Sequence, residues 1–410
     1  MQMIIKNKFL LFLLLVVSII SVPCFSAEFP DPLFPAGQPP SIVTRAAVLM
    51  DAETGTVLFS QSPSLVISPA SLTKLMTIHL ALRAIRAGKV SENDIVTLTP
   101  ESWYENQPPR SSLMFLGRNQ TVTLGELLLG MAVSSGNDAA VATALHLSHS
   151  LEAFTATMNA EAGRLGLVST RFTEPAGVSS ENTTTAMDFA RFCRVYLAEH
   201  PESLALLHSI EIFAYPRAVN TAPELPRTIV QNNRNNLLNR VPGVDGLKTG
   251  YITEAGYNTA LSARRGETRL IAILLGASSE EDRDRDGEEL LAWGFENFKT
   301  LRPVVNILPE TRIWSGKEKY VQVKLAAELP FTVSVHRAGV ITVGTELTPY
   351  LKAPLPEGAQ AGVLTLSDGI GELRSIPLVL EKEVTRGNFF QVFLDAIRLF
   401  FHKNFGKKNN

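Results

Sequence analysis

Strand patterns occupy the two ends of the stretch 46–276, and helical patterns occupy most of the chain between them. The apolar runs Ala46–Met50 and Thr56–Phe59 flank one turn sequence, and Tyr257–Ala263 and Arg269–Gly276 flank another. Apolar runs joined by a short turn are typical of β-hairpins. Hairpins at both ends with helices between them favour one antiparallel sheet covered by helical layers, so the sequence predicts an α+β fold.

The helical patterns begin with a segment from Ser68 to about Ala87. Ser68 suits the N-cap, Pro69 suits the first helical position, and Gly88 stops the helix. Apolar residues occupy most faces of this helix, which indicates that it is largely buried. Further helices are predicted at 124–134, behind a Thr-x-x-Glu capping box, and at 138–146, 151–165 and 288–298. The charged run 280–286 is expected to be a solvated loop or a helix start.

The composition excludes several classes of protein. The 410 residues are 45% hydrophobic and 19% charged with a net charge of -2, which is typical of a globular protein and argues against a nucleic-acid partner. There are only two cysteines, Cys24 and Cys193, and the seven histidines form no His-x-x-x-His pair in a helical pattern. We therefore expect neither a metal site nor a cofactor.

The first 27 residues have the pattern of a secretory signal peptide. Lys6 and Lys8 precede an apolar run at 9–17, and the small residues Ser26 and Ala27 offer a cleavage site before or after Ala27. The run is shorter than the ~20 apolar residues that a membrane span requires. We therefore expect an exported protein.

The pattern changes again near residue 302. Short alternating or β-branched runs, separated by turn residues, extend from Val304 to Val384. They predict a small all-β domain. The expected organisation is a signal peptide (1–27), a first domain (28–300), a β-domain (301–384) and a terminal segment (385–410).

The terminal segment has the pattern of an amphipathic helix, because its apolar residues, six of them Phe, cover a broad arc. The narrow polar wedge consists of Asn388, Gln391, Asp395, Arg398 and His402. Such a helix either packs on the body of the protein or lies in the plane of a membrane surface, where Lys403, Lys407 and Lys408 would attract anionic lipid. The abundance of Phe in a segment too short to span a bilayer favours the membrane surface.

A candidate nucleophile and base lie in the first turn of the first helix. Ser71 and Lys74 are three residues apart, so they share one helix face and their side chains can touch. A serine needs an adjacent base to become a nucleophile, and lysine serves as that base only where its surroundings keep it neutral. Ser-x-x-Lys occurs by chance in many chains, and the alternative is a capped helix start with a surface lysine.

Two further triplets make the chance explanation weaker. Ser135-Gly136-Asn137 lies between two predicted helices, and Lys248-Thr249-Gly250 lies at the start of a predicted strand. The three motifs together resemble those of penicillin-binding proteins and class A β-lactamases. The residues that flank these motifs resemble those of the low-molecular-mass penicillin-binding proteins of the D-alanyl-D-alanine carboxypeptidase type. Together with the β-domain and the terminal helix, this resemblance covers nearly the whole chain. The matching segments are 69–74, 233–238, 244–251, 255–258 and 293–295.

This resemblance implies a DD-peptidase/β-lactamase-like catalytic domain, an antiparallel sheet with helical layers and a helical subdomain, and an acyl-enzyme mechanism. Ser71 would attack the carbonyl between two terminal D-alanines of a peptidoglycan stem peptide, and Lys74 would take its proton. Ser135 would pass the proton to the leaving D-alanine, and Asn137 would hold the amide of the acyl side. The backbone N–H groups of Ser71 and Tyr251 would form the oxyanion hole. β-Lactams would acylate the same serine.

The resemblance also assigns residues to the substrate's terminal carboxylate. Lys248 would lower the pKa of Lys74 and, with Thr249, bind the carboxylate, while Arg234 is a second candidate that could instead form a structural ion pair. Gly250 would leave room for the substrate. The expected location is the periplasmic face of the cytoplasmic membrane, with peripheral attachment through the terminal helix.

One loop departs from the family pattern. Many relatives have a His or another polar residue where this chain has Ala176, whose side chain cannot form a hydrogen bond. Glu174 is the nearest acid, but it lacks the context of a β-lactamase deacylation residue and is interpreted as a loop residue.

A D,D-endopeptidase and a non-catalytic penicillin-binding scaffold are the alternatives to a carboxypeptidase. The remaining histidines considered have no evident acidic partner and are expected to be packing or surface residues: His79, His146, His149 and His208.

Overall fold

The computed structural model describes residues 37–221, 228–302, 308–327, 330–335, 341–367 and 371–405. The predicted signal peptide lies outside these residues, as do Lys407 and Lys408 and the side chain of Lys403.

Helices and strands are interspersed along the described part of the chain. The helices are α1 (Thr73–Arg86), α2 (Leu124–Val133), α3 (Asn137–Ser148), α4 (Leu151–Arg164), α5 (Ala186–Glu199), α6 (Glu280–Asn297) and α7 (Phe389–Phe405). The strands are β1 (Ala46–Asp51), β2 (Val57–Gln61), β3 (Ile95–Val96), β4 (Val122–Thr123), β5 (Ile212–Tyr215), β6 (Ile229–Asn232), β7 (Val244–Ile252), β8 (Gly256–Arg265), β9 (Thr268–Ala277), β10 (Phe298–Leu301), β11 (Glu310–Arg312), β12 (Tyr320–Leu325), β13 (Phe331–Ser334), β14 (Thr342–Leu347), β15 (Gln360–Ser367) and β16 (Glu372–Leu380).

The two predicted hairpins form one five-stranded antiparallel sheet, in the order β2-β1-β9-β8-β7. β1 pairs with β9, with Ala46 opposite Leu275, so the two distant ends of the domain meet at the middle of the sheet. Alternate residues of β1 enter different apolar clusters: Val48 packs on the side of α1 and α5, and Leu49 packs on the side of α6. Both faces of the sheet are therefore buried, which explains why β1 is apolar throughout. The predicted α+β fold is confirmed.

The first helix differs from the prediction at its start. Residues Ala70–Leu72 form a 3-10 turn, and the α-helix begins at Thr73. Ser68 is not the N-cap that the sequence predicted, because Ala70 adopts a left-handed φ of 49° and turns the chain sharply before the helix. The C-terminal end is as expected, with Gly88 at a φ of 66° after Ala87.

The charged run 280–286 is the start of α6, with Ser279 as its N-cap. It is not simply solvated, because Asp286 is fully buried and accepts hydrogen bonds from the backbone N–H groups of Val43 and Thr44 and from the Thr44 hydroxyl. This carboxylate fastens the chain that leads into β1 to the outer helix. The prediction of a helix start was correct, whereas the alternative of a loop was wrong.

The C-terminal part contains a second five-stranded antiparallel sheet, in the order β11-β12-β16-β15-β14, with its own apolar cluster. Strand β13 belongs instead to a pair with β10, at the junction with the first domain. Buried Asp51 accepts hydrogen bonds there from the hydroxyls of Thr300 (2.6 Å) and Thr332 (2.8 Å). The predicted C-terminal β-domain is confirmed, and it is attached through a buried polar contact.

Helix α7 packs on this β-domain through its polar wedge. Asp395 is buried, accepts from the backbone N–H of Ser315 at 2.9 Å and pairs with Arg312. The His402 ring lies 6.2 Å from that of Trp314 and 6.0 Å from that of Tyr350. The apolar arc is turned away from the protein. Among the described residues, no helix has the length and apolar character needed to cross a membrane.

Candidate active site

The 3-10 turn before α1 places Ser71 against two glycine positions. A Cβ at Gly177 would lie 1.9 Å from the Ala70 carbonyl oxygen, and one at Gly250 would lie 2.9 Å from the Ser71 nitrogen. Larger residues at either position would push the surrounding backbone away from the nucleophile. The space that Gly250 leaves is occupied by the backbone around Ser71, so this glycine permits strand β7 to approach the turn. The expectation that Gly250 also leaves room for substrate stays a prediction.

Lys74 is completely buried, and three polar groups surround its amine. The Nζ atom lies 3.0 Å from the Ser71 hydroxyl, 2.7 Å from the Asn137 side-chain oxygen and 2.5 Å from the Ala176 carbonyl oxygen. A carbonyl and an amide oxygen can only accept, so both require an N–H of the lysine. A neutral amine has two N–H groups and one lone pair. When these two contacts are satisfied, the lone pair faces the Ser71 hydroxyl.

The surroundings of Lys74 favour that neutral form. The pKa of Lys74 is lowered from 10.5 to about 7, mainly by burial; Glu174 and Asp138 act in the opposite direction, and Arg234 also lowers it. The sequence predicted a lowered pKa but attributed it to Lys248. The main cause is burial instead. Burial also lowers the pKa of Lys248, and the nearby Lys74 contributes to that shift.

The second motif lies in the connection between α2 and α3. Ser135 has a left-handed φ of 61°, and Asn137 is the first residue of α3. Asp138, which is not among the predicted site residues, is buried and accepts from four backbone N–H groups, those of Met114, Phe115, Leu116 and Ala139. It thereby holds the loop 110–117 beside the cleft. Its position directly after the triplet was the only signal in the sequence.

The third motif lies in the middle of β7. The sequence had predicted it at the start of the strand. Lys248 is buried and donates to the Thr249 carbonyl oxygen. Asn258 on the adjacent strand belongs to the matching segment 255–258 but was not predicted as a site residue. It is fully buried, donates to the Ser68 carbonyl at 2.9 Å and accepts from the Gly276 N–H at 2.8 Å. It ties the sheet to the chain that leads into the nucleophile.

A cleft of about 630 Å³ connects these parts. The predicted site residues on its wall are Ser71, Ser135, Arg234, Thr249, Gly250 and Tyr251. Lys74, Asn137 and Lys248 lie buried behind that wall. Arg234 is exposed and forms no ion pair within the described residues, so the alternative of a structural ion pair is not supported. The rings of Tyr251 and Tyr257 pack against each other at the cleft, with centroids 4.4 Å apart and planes tilted by 35°.

The comparisons with known proteins cover both parts of the chain. Residues 35–279 match the D-alanyl-D-alanine carboxypeptidase family, and residues 299–386 match the penicillin-binding protein 5 C-terminal domain. The chain belongs to the D-alanyl-D-alanine carboxypeptidase family. This confirms the resemblance, the fold class and the enzymatic activity that were expected from the sequence.

Individual relatives of the carboxypeptidase agree with this assignment. It is 34% identical to the D-alanyl-D-alanine carboxypeptidase DacC of Escherichia coli over 379 residues, which cover 90% of each chain. Penicillin-binding protein 5 from Haemophilus influenzae is similar in structure, with a TM-score of 0.75, 32% identity and coverage of 85% of this chain and 99% of that one. Penicillin-binding protein D2 from Listeria monocytogenes, solved in an ampicillin-bound form, has a TM-score of 0.54 and 29% identity and covers 62% of this chain and 100% of its own.

The carboxypeptidase also contains a cluster of histidines that could resemble a metal site. The ligand atoms of His79, Glu199 and His200 all lie within 4.8 Å of one another. However, both ring nitrogens of His79 are already used, since one contacts Glu161 at 2.8 Å and the other contacts His200 at 3.0 Å. Arg83 pairs with Glu161 and lies 3.7 Å from Glu199. The cluster is a buried hydrogen-bond network, and the expectation that His79 has no acidic partner was wrong.

Proposed function

We propose that the carboxypeptidase removes the terminal D-alanine from peptidoglycan stem peptides through an acyl-enzyme on Ser71, with Lys74 as general base. The observation that carries this proposal is the set of three contacts around the Lys74 amine. They leave one lone pair, and it faces the serine hydroxyl. A base with a pKa of about 7 is half neutral at neutral pH, which suits proton transfer under those conditions.

Acylation then proceeds in two steps. The Ser71 oxygen bonds to the substrate carbonyl carbon as its proton moves to Lys74, and the N–H groups of Ser71 and Tyr251 stabilise the resulting oxyanion. Donors of this kind contribute about 3–4 kcal/mol to transition-state stabilisation. The C–N bond to the terminal D-alanine breaks as the proton passes from Lys74 through Ser135 to the leaving amine. Deacylation repeats the sequence with water as nucleophile and Ser71 as leaving group.

Recognition of the terminal carboxylate is assigned to Lys248, Thr249 and Arg234. Lys248 is buried and forms no ion pair within the described residues, so an entering carboxylate would supply the anion that its ammonium form lacks. The guanidinium of Arg234 lies exposed in the same cleft. The Oδ1 atom of Asn137 accepts from Lys74, which leaves the amide nitrogen to meet the substrate.

The fit of β-lactams follows from the same chemistry. A β-lactam carries an amide carbonyl close to a carboxylate, so it would place its carbonyl at Ser71 and its carboxylate at Lys248. Ampicillin is bound in the solved penicillin-binding protein D2, which belongs to the structures similar to this chain. Acylation of Ser71 by penicillin therefore provides a direct test of the nucleophile.

The experiment uses a fluorescent penicillin and a stem pentapeptide with the mature protein. Intact-mass spectrometry should show one penicilloyl adduct, and peptide mapping should place it on Ser71. Ser71→Ala should remove the adduct without lowering the melting temperature, and the pentapeptide should lose one alanine only with the unmodified enzyme. An adduct that persists in Ser71→Ala would show that the nucleophile is another residue.

We further propose that the mature protein is exported and attached to the periplasmic face of the cytoplasmic membrane through α7. Two observations support this attachment. The polar wedge of α7 is used to pack on the β-domain, and the opposite face remains exposed. The exposed apolar residues on that face are Phe389, Phe390, Phe393, Leu394, Ile397, Phe400 and Phe401. The proposed domain boundaries are those expected from the sequence, with a catalytic domain at 28–300, a β-domain at 301–384 and the anchor at 385–410.

A further inference from the structure

The loop that follows α4 is organised around a single carboxylate, that of Glu174. Its Oε1 atom accepts from the backbone N–H groups of Gly177, Val178 and Ser179 and from the Asn182 amide, and its Oε2 atom accepts from Ala176 N–H at 2.6 Å. Five donors on one carboxylate is more than a surface loop needs. The arrangement closes residues 174–179 into a ring of N–H groups around the acid.

The closed loop presents its carbonyl oxygens to α1. The Ala176 carbonyl accepts from Lys74 at 2.5 Å, and the Pro175 carbonyl accepts from the Thr77 hydroxyl at 2.7 Å. Lys74 and Thr77 are three residues apart and share one face of the helix. The loop therefore contacts two successive turns of the helix that carries the nucleophile.

Glu174 does not have the geometry of a base that activates water. Its carboxylate oxygens are occupied by the five donors, and the residue is not part of the cleft wall. A water molecule held by this acid would have to displace a backbone contact. The arrangement instead resembles an internal anion site, in which the anion shapes the loop around it.

We propose that Glu174 is a positioning residue for the general base: it fixes the Ala176 carbonyl on Lys74 so that the lysine lone pair faces Ser71, and its negative charge shifts the pH range in which Lys74 is active. This inference rests on the proposed roles of Ser71 and Lys74. It explains how Ala176, whose side chain cannot form hydrogen bonds, contributes to the site through its backbone.

The electrostatic part of the inference follows from the groups that face Lys74. Glu174 and Asp138 raise its pKa, burial and Arg234 lower it, and Lys248 is the neighbouring cation on β7. Removing one of the two anions should therefore lower the pKa of Lys74 further. Because the base must be neutral, acylation should then persist to lower pH.

The test measures the second-order rate constant for acylation by fluorescent penicillin between pH 5 and 9 in the mature protein. The unmodified enzyme should show an acid limb centred at about 7. Glu174→Gln keeps the size of the side chain but presents an N–H₂ group to backbone donors, so the plateau should fall roughly tenfold, the cost of about one hydrogen bond to a charged group. Its acid limb should move to lower pH, because one of the two anions that raise the pKa of Lys74 is removed. Glu174→Asp keeps the charge but shortens the reach, so its plateau should fall while its acid limb stays in place.

The matched control is Asp188→Asn. Asp188 is also a buried carboxylate that accepts from a loop N–H, that of Ser169, and it makes no contact with Lys74. This variant should lower the melting temperature without moving the acid limb. If Glu174→Gln lowers only the melting temperature and keeps both the plateau and the acid limb, the inference is wrong and Glu174 is a structural residue. Loss of labelling at Ser71 in the unmodified enzyme would instead refute the proposed nucleophile.

Discussion

At the scale of single residues, the two buried lysines have different proposed tasks. Lys74 must release a proton near neutral pH, whereas Lys248 serves as a cation for the substrate carboxylate. Arginine keeps a positive charge but cannot lose its proton in a protein. The same Lys-to-Arg change therefore separates the two roles.

Lys74→Arg should reduce acylation by penicillin by roughly 10²–10⁴-fold, the usual contribution of a general base. Lys248→Arg should cost roughly tenfold, about the loss of one good hydrogen bond to a charged group. Stopped-flow labelling with a fluorescent penicillin measures both constants, and circular dichroism checks that each variant is folded. Equal losses in the two variants would contradict this division of roles.

The residues at the site differed in how readily they could be predicted from the sequence. Ser71 and Lys74 were predictable because an i, i+3 pair on a helix must share a face. The Ala176 carbonyl was not predictable, because every residue has a carbonyl and only the folded loop determines which one reaches the amine. The partner of Asn258 was hidden for the same reason, since the Ser68 carbonyl is a backbone group 190 residues away in the chain. The partners of Glu174 are near in sequence, but most of them are backbone N–H groups that only the folded loop turns toward the carboxylate.

At the scale of secondary structure elements, the contact between β7 and the nucleophile turn depends on Gly250. A Cβ there would lie 2.9 Å from the Ser71 nitrogen and 3.0 Å from the Pro69 carbonyl oxygen, both of which are backbone atoms that cannot rotate away. Gly250→Ala should move the strand away from the turn and enlarge the proposed oxyanion hole. We expect acylation to fall by at least ~100-fold, comparable to the loss of one oxyanion donor.

The control for this change is Gly163→Ala in α4. A Cβ at Gly163 would meet no atom within 4 Å, and alanine is the better helix former by roughly 0.5–1 kcal/mol. Gly163→Ala should therefore raise the melting temperature slightly and leave labelling unchanged. Wild-type labelling in Gly250→Ala would show that the strand tolerates the extra methyl group.

A second element, the segment that contains His208, makes stability depend on pH. The buried His208 ring contacts the Tyr196 hydroxyl at 2.6 Å and the Leu247 carbonyl oxygen at 3.0 Å, and burial lowers its pKa to about 3. An unfolded histidine has a pKa of about 6.5, so below that pH the unfolded chain binds the proton and the folded chain does not. Stability is therefore full above pH 6.5 and decreases as the pH falls toward 3.

This dependence can be tested with His208→Gln, whose amide can donate to Leu247 and accept from Tyr196 without titrating. For a group that stays neutral when folded, the loss is about 1.4 kcal/mol per pH unit below 6.5. Between pH 7 and pH 5 the melting temperature of the variant should therefore fall less than that of the unmodified protein. Identical pH dependence in the two proteins would assign the acid sensitivity to other groups, such as His200, whose pKa burial also lowers to about 3.

The helices and strands were largely predictable where the apolar periodicity is strong. They were less predictable where contacts distant in sequence determine the local backbone structure. The two hairpins of the central sheet and the capping box before α2 followed from local patterns. The 3-10 turn before α1 did not, because it results from Gly177 and Gly250 closing on Ala70 and Ser71. The charged start of α6 was ambiguous because its buried carboxylate is satisfied by Thr44, 242 residues away in the chain.

At the scale of the whole molecule, the orientation of α7 determines what its apolar face can contact. The sequence predicted a broad apolar arc with a narrow polar wedge but did not indicate which side faces the protein. The structure places Asp395 and His402 against the β-domain, so the phenylalanines point outward. Seven exposed large apolar side chains on one helix face form a patch that soluble monomers rarely retain.

The membrane is the proposed partner of this face, and the test changes its apolar character while leaving the docking contacts intact. Phe393→Asp with Phe400→Asp places two charges at positions that are 55% and 60% exposed, so the fold should be retained. In fractionated cells this double variant, like a deletion of residues 387–410, should move from the membrane to the soluble fraction and remain active on a small soluble peptide, since all proposed catalytic groups precede residue 252.

The matched control is Tyr320→Asp with Val343→Asp, which charges two similarly exposed apolar residues of the β-domain, 52% and 43% exposed, outside α7. The control should stay in the membrane fraction, because a helix that lies in the interface gains its affinity from its own buried apolar area and not from the general hydrophobicity of the domain. If the α7 deletion still sediments with membranes after the signal peptide has been removed, attachment must arise from another surface. If the control is released as readily as the α7 variant, the apolar arc of α7 is not the specific anchor.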